Sequence, residues 1–433
     1  MNGYNTNVED GSVSDNECDS DFDDSASETS TIAYEHLEHE PFETFQTKVA
    51  ELATDIFPEG SKIDVERMKG GSFNRVVGLT VSRPKTKNKF ITKWLLGCLG
   101  MRTSTKYNEP QKYILRIPRF NTKSLEREVA VLKVVAEKLS LPIPQVVKYD
   151  ISKENALGKP YMVQSRLFGD NLAKIGDTLN MEQWKCVANR ITEITAEIAE
   201  LTSTSAGEIA LGNLNHPSDH EVEIEKFGVP HRGTTSDIGP EHQQNALLFL
   251  LEQCERWRKY QNSKGFCWEH IWDGFADISR SLQKRGFLDG AFSLVHGDLK
   301  GYNLLVNVKD ASTVQVTGVI DWDFASFAPK FMAYRAPFWL WNAEDMDSYD
   351  EDNEENANVS PEGETQKELK RVFENAASDE FKKFAFQPEA MLARRMFEIL
   401  KKGMFSSGAV EEAEAILEEW KDLFPEDDIS GGN

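Results

Sequence analysis

The stretch FSLVHGDLKGYNLLVNV (residues 292–308), followed by TVQVTGVIDWD (residues 313–323), decides how this chain is read. Apolar runs at Phe292–Val295, Leu304–Val308 and Thr313–Ile320 have the length and composition of three short strands. His296-Gly297-Asp298 follows the first run, and Asn303 stands five residues past Asp298, at the start of the second. The third run ends on Ile320-Asp321-Trp322-Asp323. A short loop between strands brings Asp298, Asn303 and Asp321 to one edge of a sheet.

Those residue types at that spacing suit phosphoryl transfer. The reaction needs an acceptor for the proton of the attacking hydroxyl, which Asp298 supplies. It needs hard oxygen ligands for Mg2+, which Asn303 and Asp321 supply. Lys300 is close enough to the base to reach a γ-phosphate and offset developing charge. A His-Gly-Asp triplet alone is a common surface turn. The full pattern, flanked by strands and followed by Asp321, matches the kinase-type arrangement of catalytic loop and metal-binding aspartate.

Upstream, Phe42–Ile56 has helical apolar spacing at Phe42, Phe45, Val49, Leu52 and Ile56. Val65–Met68, a Gly70-Gly71-Ser72 turn and Val76–Val81 read as a strand pair, and Lys112–Ile117 as the next strand. Thr122–Leu139 is a helix stopped by Pro142-Ile143-Pro144, and Tyr161–Ser165 a further strand. Strand pairs precede the first crossover helix, which excludes a doubly wound nucleotide-binding sheet and fits a small antiparallel sheet carrying one helix. Downstream the chain is mostly helical, at Met181–Thr202, Gln243–Gln261, Ile271–Arg285, Pro388–Lys402 and Val410–Leu423. The aromatic-rich segment Pro329–Trp341 is expected to pack against these helices.

The stretches SLVHGDLKGYNLLV and VTGVIDWDFASFAP resemble the aminoglycoside phosphotransferase and choline kinase-like family, especially its fungal members, over roughly residues 60–345. Lys69–Arg75 resembles that family's phosphate-covering turn, with Gly70, Gly71 and Ser72 letting backbone N–H groups approach the phosphates. Tyr113–Arg119 resembles its third strand, and Glu128 stands where its helix glutamate stands. Ile209–Leu214 resembles a segment common before the catalytic half. Where the family usually has a lysine facing the phosphates, this chain has Arg116, whose fork is bulkier and geometrically different. Tyr161–Leu167 would connect the lobes, with Gln164 and Ser165 at the adenine.

The resemblance implies an α+β, protein-kinase-like bilobal fold, with a small antiparallel β N-lobe carrying one helix and a larger, mainly helical C-lobe. It implies an ATP- and Mg2+-dependent phosphotransferase acting on a small-molecule hydroxyl acceptor. The expected organisation is an acidic disordered tail over 1–41 and an N-lobe over 42–166 with a basic insertion at about 83–111. A C-lobe over 167–425 follows, with an acidic insertion at about 343–366, and then a short tail at 426–433. Two other readings stand beside this one. One is a catalytically silent kinase-like domain, favoured by Arg116. The other is an atypical protein kinase, suggested by Tyr334-Arg335-Ala336-Pro337 but weakened by Phe338 in the glutamate position and by the short spacing from Asp321.

Composition limits partners and location. The chain of 433 residues carries a formal charge of −23. Residues 1–40 hold 12 Asp and Glu, and residues 342–366 hold 10, with no Lys or Arg in either stretch. Setting these 22 aside from the total of 72 leaves 50 acidic against 49 basic residues, so the folded remainder is near neutral. No basic stripe argues for nucleic acid. Cys18, Cys98, Cys186, Cys254 and Cys267 are scattered, as expected in a reducing compartment. No apolar run is long enough for a membrane span, so a cytoplasmic, membrane-free protein is the expectation.

Overall fold

The computed structural model describes residues 40–68, 74–84, 108–119, 122–214, 221–230, 239–342 and 357–429. Two compact units divide the chain, Met1–Lys48 and Val49–Asn433. The described part of the first unit is 40–48, where Lys48 pairs with Glu40 at 2.8 Å and helix α1 (Phe42–Ile56) begins. All that follows belongs to the second unit.

Its first layer is an antiparallel sheet of five strands in the order β1-β2-β3-β5-β4. The strands are β1 (Lys62–Arg67), β2 (Asn74–Ser82), β3 (Gln111–Pro118), β4 (Val146–Asp150) and β5 (Tyr161–Ser165). Side chains alternate between faces along a strand. In β3, Tyr113, Leu115 and Ile117 are therefore buried together, while Ile114 and Arg116 belong to the opposite face. Register fixes Arg116 between Val76 of β2 and Met162 of β5. Helix α2 (Thr122–Lys138) buries Leu125, Val129, Leu132 and Val135 at helical spacing. That spacing also carries Glu128 inward, one turn past Leu125 and one turn before Leu132.

The remainder is mainly helical. Helices α3 (Met181–Glu200), α4 (Ala246–Ser263) and α5 (Glu269–Lys284) are joined near the C-terminus by α6 (Glu364–Ala376), α7 (Asp379–Phe386), α8 (Pro388–Lys402) and α9 (Ser407–Leu423). Asn180 caps α3 in a reciprocal capping box with Gln183. The core between the helices is aromatic: Trp257, Trp272, Trp322 and Trp420 are fully buried. The Pro329–Trp341 segment packs inward as expected. Tyr334 lies 5.1 Å from Phe381, and Trp341 lies 5.5 Å from Phe373, ring to ring.

Two small sheets interrupt the helices and hold the loops of interest. β6 (Asp170–Asn171), β11 (Leu304–Val308) and β12 (Val314–Val319) form one, in the order β12-β11-β6. The other is β7-β10-β13-β8-β9, built from β7 (Thr202–Ser203), β8 (Gly207–Ile209), β9 (Ile224–Glu225), β10 (Phe292–Val295) and β13 (Ser326–Ala328). The architecture is thus α+β and kinase-like, an antiparallel sheet region followed by a mainly helical one.

Several boundaries differ from the sequence expectations. The acidic stretch does not run to residue 366, because α6 starts at Glu364 and Ala357 is fully buried. Residues 426–429, expected as part of a tail, are packed. Arg285 holds Glu426 at 2.6 Å and Asp427 at 3.3 Å, and Ile429 is buried. Residues 1–39, 85–107 and 343–356, which include most of the acidic tail and of both insertions, lie outside the described residues.

Candidate active site

Strand pairing builds the site. β10 and β13 pair antiparallel with Val295 opposite Ser326, so the loop leaving β10 and the loop entering β13 lie side by side. β11 and β12 pair with Leu304 opposite Val319, which puts Asn303 beside Ile320. The Ile320 N–H donates to the Asn303 carbonyl at 3.0 Å. Asp298, Asn303 and Asp321 thereby share one end of these strands.

The loop is held by its own polar groups. Asn303 Nδ2 donates to the Asp298 carbonyl at 2.8 Å and to Asp298 Oδ2 at 2.7 Å. Both amide hydrogens are spent on the loop, which leaves the amide oxygen as the ligand-type atom of Asn303. Asp298 Oδ1 accepts from the Tyr302 hydroxyl at 2.6 Å. Lys300 lies on the same loop, its N–H donating to the Asp298 carbonyl at 3.1 Å.

His296 is a buried brace. Its Nδ1 accepts from the Asp298 N–H at 3.3 Å and its Nε2 donates to the Ile320 carbonyl at 3.1 Å. This is the neutral tautomer, and it ties the two loops together. The Trp322 ring lies 4.4 Å away. Burial pushes the His296 imidazole down to about 4.

Arg116 joins the sheet lobe to these loops. Nε lies 2.8 Å from Glu128 Oε1, off-axis, so the contact is an ion pair rather than a linear hydrogen bond. Nη2 donates to Asp321 Oδ1 at 3.3 Å and to Asp323 Oδ2 at 3.1 Å. Burial works against the Arg116 charge, but Glu128, Asp323 and Asp321 together hold it more firmly protonated than usual. Burial raises the Glu128 carboxyl well above the ordinary carboxylate range, with Arg116 opposing and Asp323 reinforcing. Asp323 is pushed up to about 6 by burial, again against the pull of Arg116. Asp321 sits in the left-handed region at φ 65°, uncommon for a non-glycine residue and a mark of a constrained turn.

The sequence expectations meet this geometry unevenly. Asp298, Asn303, Asp321, Arg116 and Glu128 are brought together, with Lys300 on the same loop. Gln164 and Ser165 end β5 inside the sheet. The Ser165 N–H donates to the Gln145 carbonyl at 2.9 Å, and Ser165 Oγ accepts from Gln145 N–H at 2.8 Å. The N–H and hydroxyl of Ser165 are thus engaged within the sheet. Gln164 is buried with Oε1 unpaired. Gly70, Gly71 and Ser72 lie outside the described residues. Two members of the site carried no role in the sequence reading: Asp323, which shares Arg116 with Asp321, and Tyr302, which bonds Asp298. The sequence signal for Asp323 was its place in Ile-Asp-Trp-Asp. Nothing in the sequence marked Tyr302.

A two-lobed α+β chain that gathers an acid-base loop, an amide oxygen and a paired arginine between its lobes falls in the class of kinase-like phosphotransferases. A family model described as "Phosphotransferase enzyme family" (APH) matches residues 102–331, more than half of the chain, and the chain belongs to that family. Among curated proteins, a subtelomeric hrmA-associated cluster protein of Aspergillus fumigatus is 24% identical over 165 residues. That match spans 37% of this chain and only 27% of the relative. Among solved structures, ADP-bound aminoglycoside phosphotransferase APH(2'')-Ib is 13% identical, with 87% of this chain and 98% of that one covered and a TM-score of 0.46. Aminoglycoside phosphotransferase APH(4)-Ia, in a ternary complex with AMP-PNP and hygromycin B, is 16% identical over 86% of this chain and 98% of that one, with a TM-score of 0.44. No helix among the described residues is long and apolar enough to cross a membrane.

Proposed function

We propose that this protein moves the γ-phosphate of ATP to a hydroxyl of a small molecule, with Mg2+. The observation that carries the reading is the Asp298 carboxylate, half-exposed on a loop whose geometry Asn303 and His296 fix from both sides. A carboxylate so held can take the proton of an approaching hydroxyl at Oδ1 without moving.

The donor set fits a hard cation: the Asn303 amide oxygen and the Asp321 carboxylate, which is 42% exposed. Bound there, Mg2+ would supply charge neutralisation to the transferring group. Arg116, oriented by Glu128, would face the phosphates in the role that lysine usually has, and Lys300 would offset charge on the γ-phosphate. Gly70, Gly71 and Ser72 would cover the phosphates, and Gln164 would border the base.

The test is ADP release with Mg2+ and ATP over a panel of hydroxyl acceptors, in the parent and in Asp298→Asn. Turnover by the parent that drops by about two powers of ten or more in Asp298→Asn supports the reading. Equal, negligible turnover in both with retained nucleotide binding would mean a silent kinase-like domain.

A further inference from the structure

The Tyr302 hydroxyl stands where an acceptor hydroxyl would have to stand. Asp298 has two carboxylate oxygens. Oδ2 accepts from Asn303, and Oδ1 accepts from the Tyr302 phenol at 2.6 Å. That is the separation expected of a general base and the hydroxyl it deprotonates. The seat therefore accommodates a flat ring with a hydroxyl at its edge.

Its surroundings have the same character. Tyr302 is 37% exposed, and Phe324, on the loop after Asp321, is 46% exposed. Phe324 belongs to the loop that lies along His296-Gly297-Asp298: a Cβ built on Gly297 would come within 2.6 Å of the Phe324 Cβ. Two partly exposed aromatic side chains thus stand on the two loops that frame the base. Exposed aromatics grouped at a site signal a ligand with an apolar face. The residues between Asp298 and Asn303 are Leu299, Lys300, Gly301 and Tyr302, which include a cation and no carboxylate.

We propose that the acceptor is a hydroxyl borne on a flat, apolar ring, a phenol or its close equivalent, which displaces the Tyr302 hydroxyl from Asp298, and that Tyr302 otherwise keeps water off the base. The inference rests on the phosphotransferase reading above. In the step itself, the acceptor oxygen forms a bond to the γ-phosphorus of ATP while its proton passes to Asp298 Oδ1. The bond from that phosphorus to the β,γ-bridging oxygen breaks, and its electron pair leaves with ADP. Without an acceptor, the Tyr302 phenol fills the seat and water is excluded.

The experiment compares the parent, Tyr302→Phe, Tyr302→Ala and Asp298→Asn, each with Mg2+ and ATP. The acceptors are none, 4-methylphenol, choline and kanamycin, with ADP and the phosphorylated product both measured. The parent is expected to form 4-methylphenyl phosphate with kcat/KM at least about tenfold above that for kanamycin or choline. Tyr302→Phe is expected to raise acceptor-independent ATP hydrolysis about tenfold, because a water replaces the lost hydroxyl at Oδ1. Tyr302→Ala is expected to lower KM for 4-methylphenol, which fits the vacated space. The proposal is overturned if turnover depends on Asp298 but prefers choline or kanamycin, or if Tyr302→Phe leaves hydrolysis unchanged. If no protein consumes ATP with any acceptor, the phosphotransferase reading fails and this inference falls with it. Matching melting temperatures of parent and Tyr302→Phe establish that the effects are local.

Discussion

Replacing Arg116 by methionine is the sharpest perturbation of this structure. The guanidinium is 12% exposed and faces Glu128 at 2.8 Å, Asp323 at 3.1 Å and Asp321 at 3.3 Å. Removing one partner of a buried ion pair costs about 3–5 kcal/mol when the other charge is left behind. Here the carboxyls have a way out. Burial already raises Glu128 and Asp323, and with the opposing cation gone the cluster binds at least one more proton in the folded state. The unfolded chain, with glutamate near its ordinary value of about 4.3, does not bind that proton at neutral pH. The folded state then holds the extra proton, so the variant's stability falls as pH rises, by about 1.4 kcal/mol per pH unit relative to the parent. Urea unfolding of both proteins between about pH 5.5 and about pH 7.5 should show the gap widening by roughly 1–3 kcal/mol. In activity, kcat/KM should fall by about two to three powers of ten, roughly 3–4 kcal/mol of lost transition-state stabilisation. Arg116→Lys should retain more, with one nitrogen unable to serve Glu128 and the two aspartates together. A stability gap independent of pH, with kcat/KM unchanged, would refute the account of Arg116 as the shared counter-ion of three carboxyls.

Other predictions follow from neighbouring residues. His296 is held neutral with burial pushing it down to about 4, so the folded state binds fewer protons than the unfolded one between about pH 6.5 and 4. The protein should lose roughly 3 kcal/mol over that window as pH falls, and His296→Gln should flatten the corresponding part of a melting-temperature-against-pH curve. Gln164→Leu removes a buried amide whose Oε1 is unpaired; it should raise the melting temperature of the free protein while weakening nucleotide binding by calorimetry. Gly297→Ala should cost about 1–3 kcal/mol, because Gly297 has φ 84° and any Cβ meets Phe324; a melting temperature equal to the parent's would disprove the clash.

The sequence made the contiguous part of the site legible because one strand-loop-strand unit carries the base and the amide, and its partner strand carries the aspartate. Arg116 and Glu128 were legible only through family resemblance, because nothing local says that a strand arginine will meet Asp321, 205 residues away. Tyr302 was invisible, since loop geometry rather than any period turns its ring toward Asp298. In the fold, β4 was missed because it lies at the sheet edge, with Val147 exposed and the alternation blurred. Helix α6 was missed because its buried positions, Leu369 and Phe373, are few among charged residues. The pairing of the Ser165 hydroxyl and N–H with Gln145 was not legible, because it depends on the register between β4 and β5.

Gly297 and Phe324 have a consequence for engineering. The missing side chain at one position makes room for the Phe324 backbone as well as its Cβ: the Phe324 carbonyl oxygen would lie 2.8 Å from a Cβ on Gly297. The His-Gly-Asp loop and the Asp-Trp-Asp-Phe loop therefore nest, and neither can be reshaped without pushing the other. A graft that carries a side chain at the Gly297 position would collide with the Phe324 backbone. The transplantable part is the pair, residues 296–303 together with 320–326, moved as one piece.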